Sequence, residues 1–252
     1  MRWVAEAFLI FRTGPVRQLL FSLAFLLAVM ILVSLPVVGF AVVWLMFPAL
    51  TIGPHAIARA AANGSAFGPA QLLSGFRENL PAQLRMGGVF LAAMLIVLAG
   101  TSFADDGRFA QAVMGRMPLG LDELQSPELQ RAMLIGAGLQ TVLLGALWYA
   151  PLLVAWDGLS VSKAVFFSAA AALINWRAFL AYGVALTLLF SLVLLLALSG
   201  AMLLGGSGAA QANSALFSVI WTLLPVWFAS SFLSYRDVFN SGNADKSPTI
   251  PA

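Results

Sequence analysis

His55 is the single histidine of the chain, and the chemistry a histidine supports needs neighbours that it lacks in sequence. A structural or catalytic metal site draws on Cys, His or carboxylate ligands at short spacing. Cysteine is absent, and no acidic residue lies close to Pro54-His55. A Ser-His-acid set fails for the same want of a nearby acid. Asp105 and Asp106 are adjacent carboxylates, but they fall in a loop, where the expected role is a solvated acidic patch. The glycine-rich GGSGAAQ, residues 205–211, has neither the Lys nor the following Ser or Thr of a phosphate-cradling loop. These residues predict no enzyme, no cofactor and no metal.

The residues that recur are of another kind. Three segments place a Trp just before a Pro: Trp44 with Pro48, Trp148 with Pro151, and Trp221 with Pro225. After the first two comes a short polar stretch and then the pattern N-x-x-A-x-L-x-x-G, once from Asn79 to Gly87 and once from Asn175 to Gly183. Prolines could unwind helices around a substrate, as in broken-helix carriers. They are also tolerated as kinks in ordinary membrane helices, which is the expectation for Pro48, Pro151 and Pro225. Asn79 and Asn175 could present amides to a ligand, but Asn at a helix start is expected to cap free backbone N–H groups. In WYAPLLVAWDGLSVSKAV, residues 148–165, Asp157-Gly158 reads as a helix stop before a second helix led by Ser160.

What must position these residues is a membrane. With 61% hydrophobic and 9% charged residues and a mean hydropathy of +0.95, the chain lies far outside the roughly 45–50% apolar and 25% charged composition of soluble domains. Charged residues are missing from 18–58, 86–104, 132–156 and 178–235. A helical span takes about 20 apolar residues, so these intervals hold two, one, one and two spans. The Pro36–Gly39 stretch divides the first interval and the glycine-rich 203–214 divides the last. The reading is an all-α integral membrane protein with six transmembrane helices, near 18–35, 38–55, 86–104, 132–156, 178–200 and 215–235. A re-entrant pair is the competing reading of the first interval. Segments 66–76 and 159–169 are expected as short amphipathic cytoplasmic helices, so that hairpin and surface helix form a possible internal repeat.

Orientation follows from the basic residues, which cytoplasmic segments retain. With the N-terminus inside, only Arg108, Arg116 and Arg131 of the thirteen basic residues lie outside. They lie in or at the edge of an outer loop, 105–130, that holds five acids. Both termini are therefore expected in the cytoplasm. The start, MRWVAEAFLIFR, has apolar residues at helical spacing and reads as an interfacial helix over 1–14 rather than a cleaved signal. Residues 1–240 read as a single transmembrane domain and 241–252 as a flexible cytoplasmic tail.

The inward helix WYAPLLV, the segment LSVSKAVFFS, the Asn at the next helix start and a terminal SYRDVF together resemble a large group of uncharacterised proteobacterial inner-membrane proteins, similar in layout to the YciC-like six-helix proteins. The resemblance spans residues 1 to about 240. It implies fold and location in the bacterial inner membrane, and it carries over no catalytic residue.

The spans themselves lack Asp, Glu, Lys and Arg, which argues against an ion-coupled pump or proton relay. Gln140, Thr141, Thr187, Ser191, Ser22 and Ser34 supply the polarity and are expected to join helices. Glycines within spans, Gly88, Gly136, Gly138, Gly145 and Gly183, are expected at close helix contacts. Trp3, Trp44, Trp156, Trp176 and Tyr235 are expected in interfacial belts. Two functions fit. One is a non-catalytic membrane scaffold or accessory component, contacting the lipid bilayer and a membrane-protein partner or a second copy in a homo-oligomer, with no nucleic acid. The alternative is a passive carrier or permease for a small or lipid-like molecule, which would need a polar cavity lined by Gln140, Thr141, Asn175 and Thr187.

Overall fold

The computed structural model describes residues 2–35, 38–77, 79–117, 121–203 and 208–239. Among them no strand occurs, and the helical elements run α1 Arg2–Arg12, α2 Pro15–Val33, α3 Gly39–Ala62, α4 Pro69–Leu72, α5 Ser74–Arg77, α6 Leu80–Asp105, α7 Arg108–Val113, α8 Leu121–Leu124, α9 Pro127–Leu147, α10 Ala150–Trp156, α11 Val161–Ile174, α12 Trp176–Leu203 and α13 Ala209–Phe239. Six stretches are long and apolar enough to cross a membrane: α2, α3, α6, α9 with α10, α12 and α13. The six-span reading therefore holds.

The helices overrun the expected spans because a helix continues past the hydrocarbon into water, where charge is no bar. Thus α6 carries Arg85 near one end and Asp105 at the other, and α13 begins at Ala209 rather than near 215. Pro36, residues 204–207 of the second divider, and the tail from 240 onward lie outside the described residues.

Packing divides the chain into two compact units. The first takes the described parts of Met1–Leu27, Ile52–Ser74 and Asn175–Ala252. Here α1 lies against α13, with Ala7 and Ile10 fully enclosed. Its polar edge is pinned as well: Arg2 pairs with Asp237 at 2.7 Å and with Glu6 at 3.0 Å, and Trp3 Nε1 donates to Asp237 at 2.7 Å. The turn from α1 into α2 is closed by Gln18, whose Nε2 donates to the Ile10 carbonyl at 3.0 Å. Gln18 is buried, so this bond supplies both a spare acceptor and a buried amide with a partner. Further along, Trp221 of α13 donates to the Leu19 carbonyl at 2.8 Å, and Phe25 meets Phe228 edge-on at 5.3 Å. At the end of α3, Gly64 takes φ +66, with Ser65 N–H donating to Ala60 O and Gly64 N–H to Ala61 O. This is a Schellman stop, and it needs a residue free to adopt the left-handed region.

The second unit takes the described parts of Ala28–Thr51 and Gly75–Ile174. Its centre is the long contact of α6 with α9. Gly136 of α9 lies over Thr101, Val97 and Phe109, and Gly100 of α6 faces Leu139. Gly87 of α6 comes closer still: a Cβ there would sit 2.6 Å from the carbonyl carbon of Leu45 in α3 and closer yet to its oxygen. Small residues permitting backbone approach are the usual basis of helix association in lipid. The expected glycines are mostly not the ones used. Gly88, Gly138, Gly145 and Gly183 have nothing within 4 Å of a built Cβ, whereas Gly136 and the unflagged Gly87 and Gly100 do the packing.

Helix α11 packs its small face, Ala164, Ser168 and Ala171, toward α9 and α10. Its outward face carries Phe166, Phe167, Leu173 and Ile174, from 45% to 80% exposed. The amphipathic surface helix expected over 159–169 is thus largely apolar on its outward side, where Ser162 and Lys163 supply polarity.

Candidate functional site

The helix that carries Pro151 is distorted just before it, with Trp148 and Tyr149 keeping a right-handed helical backbone between α9 and α10. Regular α-helix stops at Leu147 and resumes at Ala150. Proline at 151 has no N–H to give to the preceding turn and forces its neighbours to adjust. Trp148 N–H shortens its reach to Gly145 O at 3.3 Å, and Tyr149 N–H finds a partner on another helix. That donor goes to Ser168 Oγ of α11 at 2.9 Å. The carbonyl of Pro151 accepts from Gln83 Nε2 of α6 at 3.2 Å. Ser168 and Gln83 are both fully buried. A backbone group without a partner in lipid costs several kcal/mol; here Ser168 gives the Tyr149 N–H an acceptor, and Gln83 brings a donor to the Pro151 carbonyl. Below the distortion, Asp157 ends α10 with its N–H on Leu153 O, Gly158 takes φ +63, and Leu159 N–H returns to Leu153 O at 3.2 Å.

Pro48 and Pro225 are buried within α3 and α13, which run on without interruption. The first unit has its own polar cluster near Pro225. His55 Nε2 lies 3.1 Å from Ser231 Oγ, and the Tyr182 hydroxyl lies 2.8 Å from Ser230 Oγ. All four side chains are buried, and the Phe228 ring edges His55 at 5.0 Å. The chemistry available to these pairs is hydrogen bonding between α3 and α13 and between α12 and α13. The space near them, lined by Gln18, Ser22, Pro54, Pro225 and Phe228 among others, is about 20 Å³. That is room for a single water.

The two asparagines of the repeated pattern sit where expected, immediately before α6 and α12. Asn79 does not cap with its side chain: its backbone is left-handed, φ 54, and it makes no side-chain capping bond. Its carbonyl accepts from Ala82 and Gln83 instead. Asn175 likewise offers its carbonyl to Phe179 N–H at 3.0 Å. The repeat is one of order along the chain rather than of environment. Gly87 is wedged against a backbone, Gly183 is open; the first copy breaks its surface segment into α4 and α5, the second keeps α11 whole.

The polar residues expected to join helices largely serve their own helix. Thr141 donates to Ala137 O, Thr187 to Gly183 O, Ser22 to Gln18 O and Ser34 to Ile31 O. Gln140, Thr141, Thr187 and Ser191 face outward. Asp105 is no solvated acid. It is buried, and its carboxylate accepts from Gly107 N–H at 3.0 Å and Phe109 N–H at 2.6 Å, starting α7. Tyr235 is in the core rather than in a belt. Among the described residues no three His, Cys, Asp or Glu side chains gather as a metal site would require.

Gln83 and Ser168 were not singled out from sequence. Both fall inside the repeated segments, and an amide and a hydroxyl following a proline-bearing span were the signal. Their partners lie 68 and 19 residues away, which spacing along the chain does not reveal.

The chain is similar to a protein of Burkholderia thailandensis described as a probable inner membrane protein, at 30% identity over 244 residues, covering 94% of this chain and 89% of that one. No family model matches the chain, and no solved structure matches it. With six membrane-crossing stretches and a relative of that identity along nearly its whole length, the chain belongs to this family of multi-pass inner-membrane proteins.

Proposed function

We propose that the protein is a non-catalytic scaffold or accessory component of the inner membrane, which holds a membrane-protein partner against its exposed helix faces. The observation that carries this reading is the contrast between α12 and α13. In the most apolar window of α13, 61% of residues are buried, and in that of α12 only 6%. A 28-residue helix so bare within its own fold offers a long lateral surface. Several polar side chains inside the two units, His55, Gln83 and Tyr182 among them, are meanwhile engaged in helix-to-helix bonds, and of the four residues a carrier would need, Gln140, Thr141 and Thr187 are exposed and Asn175 is half-buried. Both termini face the cytoplasm in this reading, as the basic residues favour, and kinship with the wider YciC-like group belongs to it too.

One observation favours a carrier of a lipid-like molecule: an open groove of about 330 Å³ beside α12, lined by Leu186, Thr187, Phe190, Ser191 and Trp227. Gentle purification from native membranes, with mass spectrometry of what co-purifies, separates the two. A stoichiometric protein supports the scaffold; a retained small molecule without one supports the carrier.

A further inference from the structure

At the start of α2, the first unit forms a groove of about 460 Å³ lined by Thr13, Gly14, Val16, Arg17, Leu20 and Phe67. Phe67 comes from the segment between α3 and α4 and is fixed by an edge-on contact with Phe21 at 6.3 Å. The Arg17 guanidinium lies over the Phe67 ring, 5.3 Å from its centroid. Stacking of this kind orients the planar donor fork without neutralising its charge.

Three features say what fits. No acidic residue lines the groove, and among the described residues no carboxylate pairs with Arg17. The neighbouring termini behave differently, since Arg2 and Arg236 are both matched by Glu6 or Asp237. Finally, Val16 and Leu20 are 70% and 59% exposed on the same side of α2, and Leu27 two turns further on is 47% exposed. A fixed cation at the head of an apolar stripe, in the first turn of a membrane-crossing helix, is complementary to an anionic headgroup joined to an acyl chain. Because Arg is delocalised and forked, it suits a phosphate in particular.

We infer that this groove binds an anionic phospholipid, with its phosphate on Arg17 and an acyl chain along Val16 and Leu20. The inference goes beyond the scaffold reading and does not depend on it.

The test uses the full chain in a mild non-ionic detergent, titrated with phosphatidylglycerol or with phosphatidylethanolamine, and read by native mass spectrometry and by melting temperature. Phosphatidylglycerol should bind about fivefold more tightly, the effect of one arginine on an anionic headgroup. Arg17→Gln should abolish that preference. Arg131→Gln, which removes an arginine already paired with Glu128 at 3.1 Å, should retain it. Should Arg17→Gln not fold, Phe67→Leu removes the stacking platform and should weaken the preference in the same direction. Equal binding of the two lipids by the unaltered protein, or a preference that survives both substitutions, overturns the inference. So does stabilisation by inorganic phosphate equal to that by phosphatidylglycerol, which would assign the groove to a free anion.

Discussion

Gly87 and Gly183 occupy the same place in the repeated pattern but opposite environments, and substituting both by alanine isolates the difference. At Gly87 the new methyl would lie 2.6 Å from the carbonyl carbon of Leu45 and 2.8 Å from its Cα, all backbone that no rotamer change can move. Ordinary carbon contacts are at about 3.5–4.0 Å, so α3 and α6 must part by about 1 Å. Overpacking of this kind costs about 1–3 kcal/mol. At Gly183 the methyl meets nothing within 4 Å. Both positions are helical, so both substitutions share the propensity gain of about 1 kcal/mol for replacing Gly by Ala. The difference between the two variants is therefore the clash alone. At roughly 2–4 °C per kcal/mol for a chain of this size, Gly87→Ala should melt roughly 2–12 °C below Gly183→Ala. The assay is the melting temperature of detergent-purified protein followed by size-exclusion chromatography of a fluorescent fusion. Equal melting temperatures, or Gly183→Ala the less stable, would refute the account of how α3 and α6 meet.

Other outcomes follow from the same structure. Ser168→Ala removes the Tyr149 N–H bond between α11 and the segment before α10 and should cost about 0.6–1.7 kcal/mol, the range of interhelical bonds in lipid; Thr141→Ala, which loses only a bond within its own helix, should change the melting temperature little. Since the chain has no cysteine, single-cysteine variants report topology cleanly. A cysteine at exposed Gln125 should react with a membrane-impermeant maleimide in intact cells, and one at exposed Ser65 only after permeabilisation; the reverse pattern would invert the orientation.

The spans were legible in sequence because a charge inside hydrocarbon is so costly that long charge-free intervals write the membrane directly into composition. Pro151 and Asp157-Gly158 were legible for a similar reason, since both act on their own few residues of backbone. Side-chain partnership was not. Gln83 meets Pro151 across 68 residues and His55 meets Ser231 across 176; Thr141 and Thr187 carry the same hydroxyl chemistry yet turn it back on their own helices. Which face of a span turns inward depends on the neighbours, and in lipid an apolar residue suits either side. That is why Gly145 and Gly183, read from spacing as close contacts, are open, while Gly87 and Gly100 are closed.

The central claim is that α12 is a surface for another protein. It is tested most directly by placing a photo-activated cross-linking amino acid at Leu188 or Leu192, which are 62% and 56% exposed, and irradiating intact cells. The account predicts one dominant protein adduct at both positions and none from a probe at buried Leu233 of α13. Adducts to lipid alone, with no protein partner at either α12 position, would contradict it.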